Sequence, residues 1–302
     1  MLDVCLCGCG GTMPLKNRHL TSAILRLNGH SMLIDCGEGT QIAIKKSGFT
    51  FKPIDVICIT HFHADHISGL PGLLLTMGNE GREEPLTIVG PAGIGRVVNS
   101  LRVIVPELPF EINFRELKAE QESFEIGLFN IKAYRLKHRI ACYGYRLDVK
   151  RGGKFDTLRA ESLGLPKILW GRLQKGETVE LQGKKYYPSD VLGDERRGIS
   201  VGYVTDTKVC DGAIKCAADT DLFICEGMFG ELDKRERADE TFHMLMQDAA
   251  HIAADAGSRE LWLTHFSTSL QAPDDYKDAV RAIFENSHMG YDGRCKTIKF
   301  LD

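Results

Sequence analysis

Thr60-His61-Phe62-His63-Ala64-Asp65-His66 comes directly after the apolar run Val56-Ile57-Cys58-Ile59. A short β-branched run of this kind reads as a buried strand, and the polar cluster sits where that strand emerges. Side chains two apart on extended backbone point the same way, so His61 and His63 face one side. Asp65 and His66 fall on the following turn and can face a second ion. Imidazole and carboxylate suit borderline divalent ions such as zinc. Without a cation, three histidines and an aspartate crowded together would repel one another or stay undersatisfied. The cluster is read as a metal site.

The same context recurs along the chain. Val201 to Thr205 is an apolar run ending in Asp206, and Leu261 to Thr264 is another ending in His265. His138 follows the strand-like piece Ile131 to Lys137. Rigid strands display catalytic groups where they emerge, so a shared site is expected. A carboxylate can bridge two ions, which makes Asp206 the candidate shared ligand. The assignment puts His61, His63, His138 and Asp206 on one ion, and Asp65, His66, Asp206 and His265 on the other. Two ions ~3.5–4 Å apart activate a water and clamp the oxygens of an in-line displacement, which fits phosphodiester hydrolysis.

Around these motifs, short apolar runs alternate with helical patterns and glycine turns, as in a mixed α/β architecture. Strands are expected at Met32 to Asp35, Val56 to Thr60, Leu86 to Val89, Val201 to Thr205, Leu222 to Cys225 and Leu261 to Thr264. Helices are expected at Gly39 to Lys46, Gly93 to Leu101, Met244 to Ala256 and Asp274 to Phe284. No apolar run reaches the ~18 residues of a membrane span, so no membrane association is expected. The start, Met1-Leu2-Asp3-Val4, lacks the basic region of a secretory signal, so a cytoplasmic location is expected.

The 10 cysteines among 302 residues are read as reduced thiols acting as small hydrophobes. Alternation sets Cys5, Cys7 and Cys9 on one strand face, where a soft-metal site is the alternative. A net charge of −3 gives no overall attraction to nucleic acid, so a polyanion must meet a local basic region. Lys150 to Lys185 is such a region: nine basic residues stand against four acidic ones. With Trp170, Tyr186, Tyr187 and several glycines, it reads as a protruding basic insertion with glycine hinges rather than a core element.

His61-Phe62-His63-Ala64-Asp65-His66-Ile67-Ser68-Gly69-Leu70-Pro71-Gly72-Leu73 resembles the signature of the metallo-β-lactamase superfamily, in the form of its ribonuclease Z family of tRNA 3′-processing endonucleases. Asp35-Cys36-Gly37-Glu38-Gly39-Thr40-Gln41, Lys137-His138-Arg139 with Tyr143-Gly144-Tyr145, Asp206-Thr207, and Leu263-Thr264-His265-Phe266-Ser267 are similar to further motifs of that family. Lys154-Phe155 to Gly176-Glu177 resembles its tRNA-gripping arm. The resemblance implies a four-layered αββα sandwich forming a single domain over residues 1–302, with a flexible arm inserted at 150–187. It also implies a homodimer that binds two zinc ions per subunit, other divalent ions such as manganese being the alternative. The implied reaction removes 3′ trailers from precursor tRNA, leaving a 3′-hydroxyl on the tRNA and a 5′-phosphate on the trailer.

By the same resemblance, Asp65 acts in proton transfer, while Glu226 and His243 assist near the leaving group. Lys16 and Arg18, in Pro14-Leu15-Lys16-Asn17-Arg18, become candidate phosphate contacts. Lys154, Arg159, Lys167, Arg172 and Lys175 of the arm become candidate tRNA contacts. Three segments depart from the family pattern. The arm reads Leu165-Pro166-Lys167-Ile168-Leu169-Trp170-Gly171 in place of a Gly-Pro-rich tip. Cys225-Glu226-Gly227-Met228 replaces His-Glu-Ala-Thr, and His243-Met244-Leu245 replaces His-Ser-Thr. The alternative function is a related hydrolase acting on a small phosphodiester or arylsulfate, which has no use for a basic arm. A diiron redox module, or a thiol hydrolase of the same superfamily, is a more distant reading.

Overall fold

The computed structural model describes residues 1–301. Two compact units are present, one of residues 1–148 and 200–299, the other of residues 149–199 with 300 and 301.

The larger unit is built on two seven-stranded sheets. In spatial order the first holds Arg294–Ile298, Leu2–Gly8, Ser22–Leu27, His30–Ile34, Ile54–Cys58, Leu86–Pro91 and Ile112–Leu117. The second holds Ser287–Met289, Leu261–Thr264, Leu222–Glu226, Arg196–Val204, Tyr143–Arg151, Phe129–Arg135 and Gln121–Ile126. His30–Ile34 through Ile112–Leu117 pair in parallel, as do Arg196–Val204 through Ser287–Met289. Parallel strands are covered on both faces and so read as near-continuous apolar runs, which is why they stand out in the sequence.

Each sheet packs helices on one face. Ile44, Leu70, Leu73, Leu74 and Val98 pack on Ile24, Leu33, Ile57 and Ile88 of the first sheet. Ala213, Cys216, Met246, Ala250 and Val280 pack on Val204, Phe223, Cys225 and Leu263 of the second. The opposite faces meet each other: the Tyr145 hydroxyl of the second sheet donates to the Ile59 carbonyl of the first (2.7 Å). The arrangement is the four-layered αββα sandwich. Among the described residues, no helix is long and apolar enough to cross a membrane.

Parallel strands share one C-terminal edge, and ligand sites in α/β sheets gather there. Asp35, the 59–66 segment, Asp206, Glu226 and His265 all stand at or just past the C-terminal ends of parallel strands.

Three expectations are corrected. Cys5 and Cys295 face each other across an antiparallel pair, with Cα atoms 4.1 Å apart, and are joined as a disulfide. The other eight cysteines are free thiols. A register shift between Leu6 and Gly8 then breaks the expected single face. Cys5 and Cys7 join the core of the first sheet, while Cys9 joins that of the second. The Cys9 thiol donates to Asp292 (3.2 Å), and no soft-metal cluster forms among the described residues. The helix expected at Asp274 to Phe284 is a 3₁₀ turn, Pro273–Tyr276, followed by a short α-helix, Lys277–Arg281.

The smaller unit contains the helices Thr157–Ser162 and Lys167–Gln174 and the hairpin Val179–Leu181/Lys184–Tyr186. They enclose a small core of Ala160, Leu165, Leu173, Val179, Tyr186 and Val191. The expected glycine hinges have other uses. Gly164 (φ 69°) and Gly176 (φ 90°) follow the two helices in the left-handed position that ends a helix. Gln182 (φ 52°) and Gly183 (φ 77°) make the tight hairpin turn, which needs positive φ at both central residues.

Candidate metal centre

All seven expected ligands come together at the strand mouths. His63 precedes the short helix Ala64–Ile67, which carries Asp65 and His66. An isolated bridge between Lys137 and Lys208 draws His138 beside Asp206. Asp35, Asp206 and His265 adopt left-handed backbone (φ 57°, 53° and 54°), uncommon for residues with a Cβ and typical of functional sites held by their surroundings.

Donor atoms gather in three overlapping groups, one of which joins His243 to Asp206 and His265; the other two are the expected ones. His66 Nε2, His265 Nε2 and Asp206 Oδ2 form a triangle with edges of 3.0, 3.1 and 3.2 Å, with Asp65 Oδ2 3.4 and 3.6 Å from the two nitrogens. His63 Nδ1 lies 2.9 Å from His61 Nε2 and 3.3 Å from His138 Nε2, and Asp206 Oδ1 is 3.8 Å from His61 Nε2. Bonds of ~2.0–2.1 Å in a tetrahedron put ligand atoms roughly 3.3 Å apart. Asp206 Oδ2 is buried without a hydrogen-bond partner, although buried oxygens are normally paired. A cation between these atoms satisfies the oxygen and removes the lone-pair conflict between facing nitrogens. The donor set fits divalent metal.

Other groups aim the rings. Asp35 accepts from His66 Nδ1 (2.7 Å) and from the amide and hydroxyl of Thr60. Thr60 Oγ1 is 3.0 Å from His61 Nδ1, and the Phe242 carbonyl accepts from His138 Nδ1 (3.2 Å). Each of these three rings thus keeps one nitrogen for the centre, the arrangement that orients metal-binding histidines. A Cβ at Gly11 would fall 2.7 Å from the His265 ring, so only glycine leaves that ring its place.

Charge follows geometry. Burial pushes His61, His63 and His138 down, toward the neutral form that binds metal. Burial opposes ionisation of Asp206 and Asp65, yet the surrounding histidines hold both well below the usual carboxylate range. For His66, burial is outweighed by the flanking Asp206 and Asp35, which hold it well above its ordinary value.

Glu226 and His243 meet beside this group. His243 Nδ1 donates to Glu226 (2.9 Å), whose other oxygen accepts from the Thr207 amide (2.6 Å). Glu226 is fully buried, not a solvated strand-end carboxylate. His243 Nε2 is 3.9 Å from Asp206 Oδ1. Burial disfavours the imidazolium, but Glu226 and then Asp206 raise His243 to about 9.

The remaining candidates are placed differently. Arg18 is half-buried and engaged with the protein: its guanidinium donates to the carbonyls of Leu270 (3.0 Å) and Ser267 (3.4 Å) and lies over the Phe266 ring. It holds the loop that follows His265. Lys16 is exposed. Lys154, Arg159, Lys167, Arg172 and Lys175 are exposed on the smaller unit, with Arg172 paired to Glu177 (2.8 Å). Asp35, Thr60 and the Phe242 carbonyl were not singled out as orienting groups from sequence. Asp35 had a readable signal, since it ends the apolar strand His30–Ile34 just as Asp206 and His265 end theirs.

Two facing sheets with a His/Asp cage at their strand mouths define a metal-dependent hydrolase of the metallo-β-lactamase fold. The chain is 54% identical to ribonuclease Z of Agathobacter rectalis over 300 residues, covering 99% of each chain. It is 53% identical to ribonuclease Z of Lachnospira eligens over 302 residues, covering 100% of this chain and 99% of that one. Among solved structures, human tRNase Z, short form, superposes with a TM-score of 0.72 at 25% identity, over 99% of this chain and 100% of the human one. The metallo-β-lactamase fold protein YhfI of Bacillus subtilis does so at 0.69 and 19% identity, over 98% of each chain. Residues 2–152 also match the family model of the anti-Pycsar protein Apyc1. That match stops where the basic insertion begins, whereas the ribonuclease Z relatives extend through it. The chain belongs to the ribonuclease Z family.

Proposed function

We propose that the protein removes 3′ trailers from precursor tRNA as an endoribonuclease using two zinc ions per subunit, held by the residues of the strand-mouth cage. The observation that carries this reading is the cage itself, with a buried Asp206 oxygen at its centre that faces two ring nitrogens and has no hydrogen-bond partner, in a chain more than half identical along its length to ribonuclease Z. His61, His63, His138 and Asp206 would hold one ion, and Asp65, His66, His265 and Asp206 the other. A pair of divalent ions supplies a nucleophilic water at neutral pH and a positive clamp on phosphoryl oxygens.

The protein groups then manage protons and position. Asp65, whose Oδ2 accepts from the Thr12 amide (2.7 Å), would take the proton of the attacking water on its carboxylate. As the new P–O bond forms and the bond to the tRNA 3′ oxygen breaks, His243 Nε2 gives that oxygen its proton, while Glu226 holds the imidazolium in place. The products are a 3′-hydroxyl on the tRNA and a 5′-phosphate on the trailer.

A-form RNA is recognised through shape and backbone rather than base edges. The exposed basic residues of the insertion, Lys154, Arg159, Lys167, Arg172 and Lys175, suit a grip on tRNA phosphates away from the cut, and Lys16 suits a phosphate contact. In this reading the enzyme is a cytoplasmic homodimer, and manganese can replace zinc.

The test compares wild type with a variant lacking Lys154 to Gly183, on a 3′-extended precursor tRNA and on bis(p-nitrophenyl) phosphate. The deletion is expected to abolish precursor cutting and to spare the small diester. A wild-type enzyme that hydrolyses the small diester well and leaves precursor tRNA untouched would favour a small-molecule phosphodiesterase instead.

A further inference from the structure

Phe242 closes the helix Arg235–Thr241 with left-handed backbone (φ 61°, ψ 43°). A residue with a Cβ avoids this region unless its surroundings hold it there. Here the helix-closing bonds from the Phe242 amide to the Asp239 carbonyl (3.4 Å) and from the His243 amide to the Ala238 carbonyl (2.9 Å) hold it, and two cations add to them. Lys208 Nζ lies 4.8 Å and the Arg139 guanidinium 5.9 Å from the centre of the Phe242 ring. The same two side chains grip the neighbouring backbone and side chain: Arg139 donates to the Glu240 carbonyl (2.7 Å) and Lys208 pairs with Asp239 (3.5 Å). Arg139 adjoins His138, and Lys208 stands two residues after Asp206. The ring is therefore anchored to the two strand mouths that present those ligands.

Two consequences meet in this one residue. Its carbonyl accepts from His138 Nδ1 (3.2 Å), leaving His138 Nε2 for the centre. Its successor, His243, reaches Glu226 (2.9 Å) and Asp206 (3.9 Å). Turning the Phe242 backbone out of the left-handed region would withdraw the carbonyl from His138 and swing His243 off Glu226 together. We propose that Phe242 is a positioning residue whose cation-clamped ring couples the aim of the ligand His138 to the placement of the proton donor His243. The inference rests on the metal and proton-donor roles proposed above.

The experiment titrates metal-free wild type, Phe242→Ala, Phe242→Gly, Phe242→Tyr and Lys208→Met with Zn²⁺ by calorimetry. It then measures kcat and KM on a 3′-extended precursor tRNA. Loss of an orienting partner typically weakens metal binding about 10–100-fold. Phe242→Ala is expected to weaken one of the two zinc equivalents by about that factor. It should lower kcat by a similar factor, with KM changed by no more than about threefold. Phe242→Tyr keeps the ring and should restore both. Phe242→Gly relaxes the backbone but loses the ring, and should fall between wild type and Phe242→Ala. Lys208→Met should move both readouts the same way by a smaller factor, and it decides the matter should Phe242→Ala fail to fold. Unchanged zinc binding and kcat in Phe242→Ala would overturn the inference, as would Phe242→Tyr behaving no better than Phe242→Ala. A wild-type protein that takes up no zinc would instead overturn the metal reading beneath it.

Discussion

In the strand-mouth cage, Asp206, His61, His66 and His265 are buried and their donor atoms stand within about 4 Å of Asp206. In the insertion, Lys154, Arg159, Lys167, Arg172 and Lys175 are exposed around a small apolar core. Buried charge is costly unless compensated, so every group in the cage is fixed by several others and tolerates little change. Exposed charge costs little to keep and little to lose singly, because water and salt screen it. On the proposed function, chemistry falls to the buried region and recognition to the exposed one. Damage to the cage should appear in kcat on any substrate, and damage to the insertion only where the substrate is a large polyanion.

The largest effect is expected from Asp206→Ala. It removes an oxygen from each group of donor atoms, so metal analysis should find both equivalents lost, and kcat on both precursor tRNA and bis(p-nitrophenyl) phosphate should fall by ~10⁴ or more. Retention of two equivalents would show that Asp206 is not shared. His243→Gln comes next, with kcat on precursor tRNA down ~10²–10⁴ and metal content intact. A p-nitrophenolate leaving group needs no proton, so the small diester should be much less affected. Equal losses on both substrates would deny His243 its donor role.

Asp35→Asn tests whether the cage depends on the groups that aim its rings. Losing the anionic acceptor of His66 Nδ1 should weaken zinc binding ~10–100-fold, read by competition with a chromogenic chelator. The smallest change should come from replacing Lys154, Arg159 and Lys175 by alanine. Precursor tRNA binding should weaken modestly, and the slope of log K against log salt should flatten by ~0.9 for each phosphate that is no longer neutralised. Turnover of the small diester should stay at the wild-type rate, and a fall there would tie the insertion to the cage itself.

Legibility divides along the same line. Most of the cage residues were readable because buried parallel strands announce themselves as apolar runs, and polar residues just beyond such runs are conspicuous; His138 follows the antiparallel strand Phe129–Arg135. Asp35 shares that context but was read only as part of a motif, since its partner His66 is 31 residues away. Phe242 gave no signal, because its carbonyl acts rather than its side-chain chemistry. Gln121–Ile126 escaped notice as an edge strand whose residues are exposed or half-buried throughout. In the insertion, composition showed the charge but not the helices. Segments of six and eight residues are too short for a periodic pattern, and glycines that end helices look like hinges until the backbone is seen. The Cys5–Cys295 pairing joins residues 290 apart, a distance that no local pattern spans.

The left-handed turns at Asp35, Asp206 and His265 bear on how portable such a centre is. Copying the histidines and aspartates onto the ends of regular strands in another scaffold would send three of them in the wrong directions, because regular strand backbone cannot make those bends. A transplant would have to carry the corners as well as the side chains, together with the glycine at position 11 that leaves one ring its space. What is inherited here is as much a set of backbone angles as a set of letters.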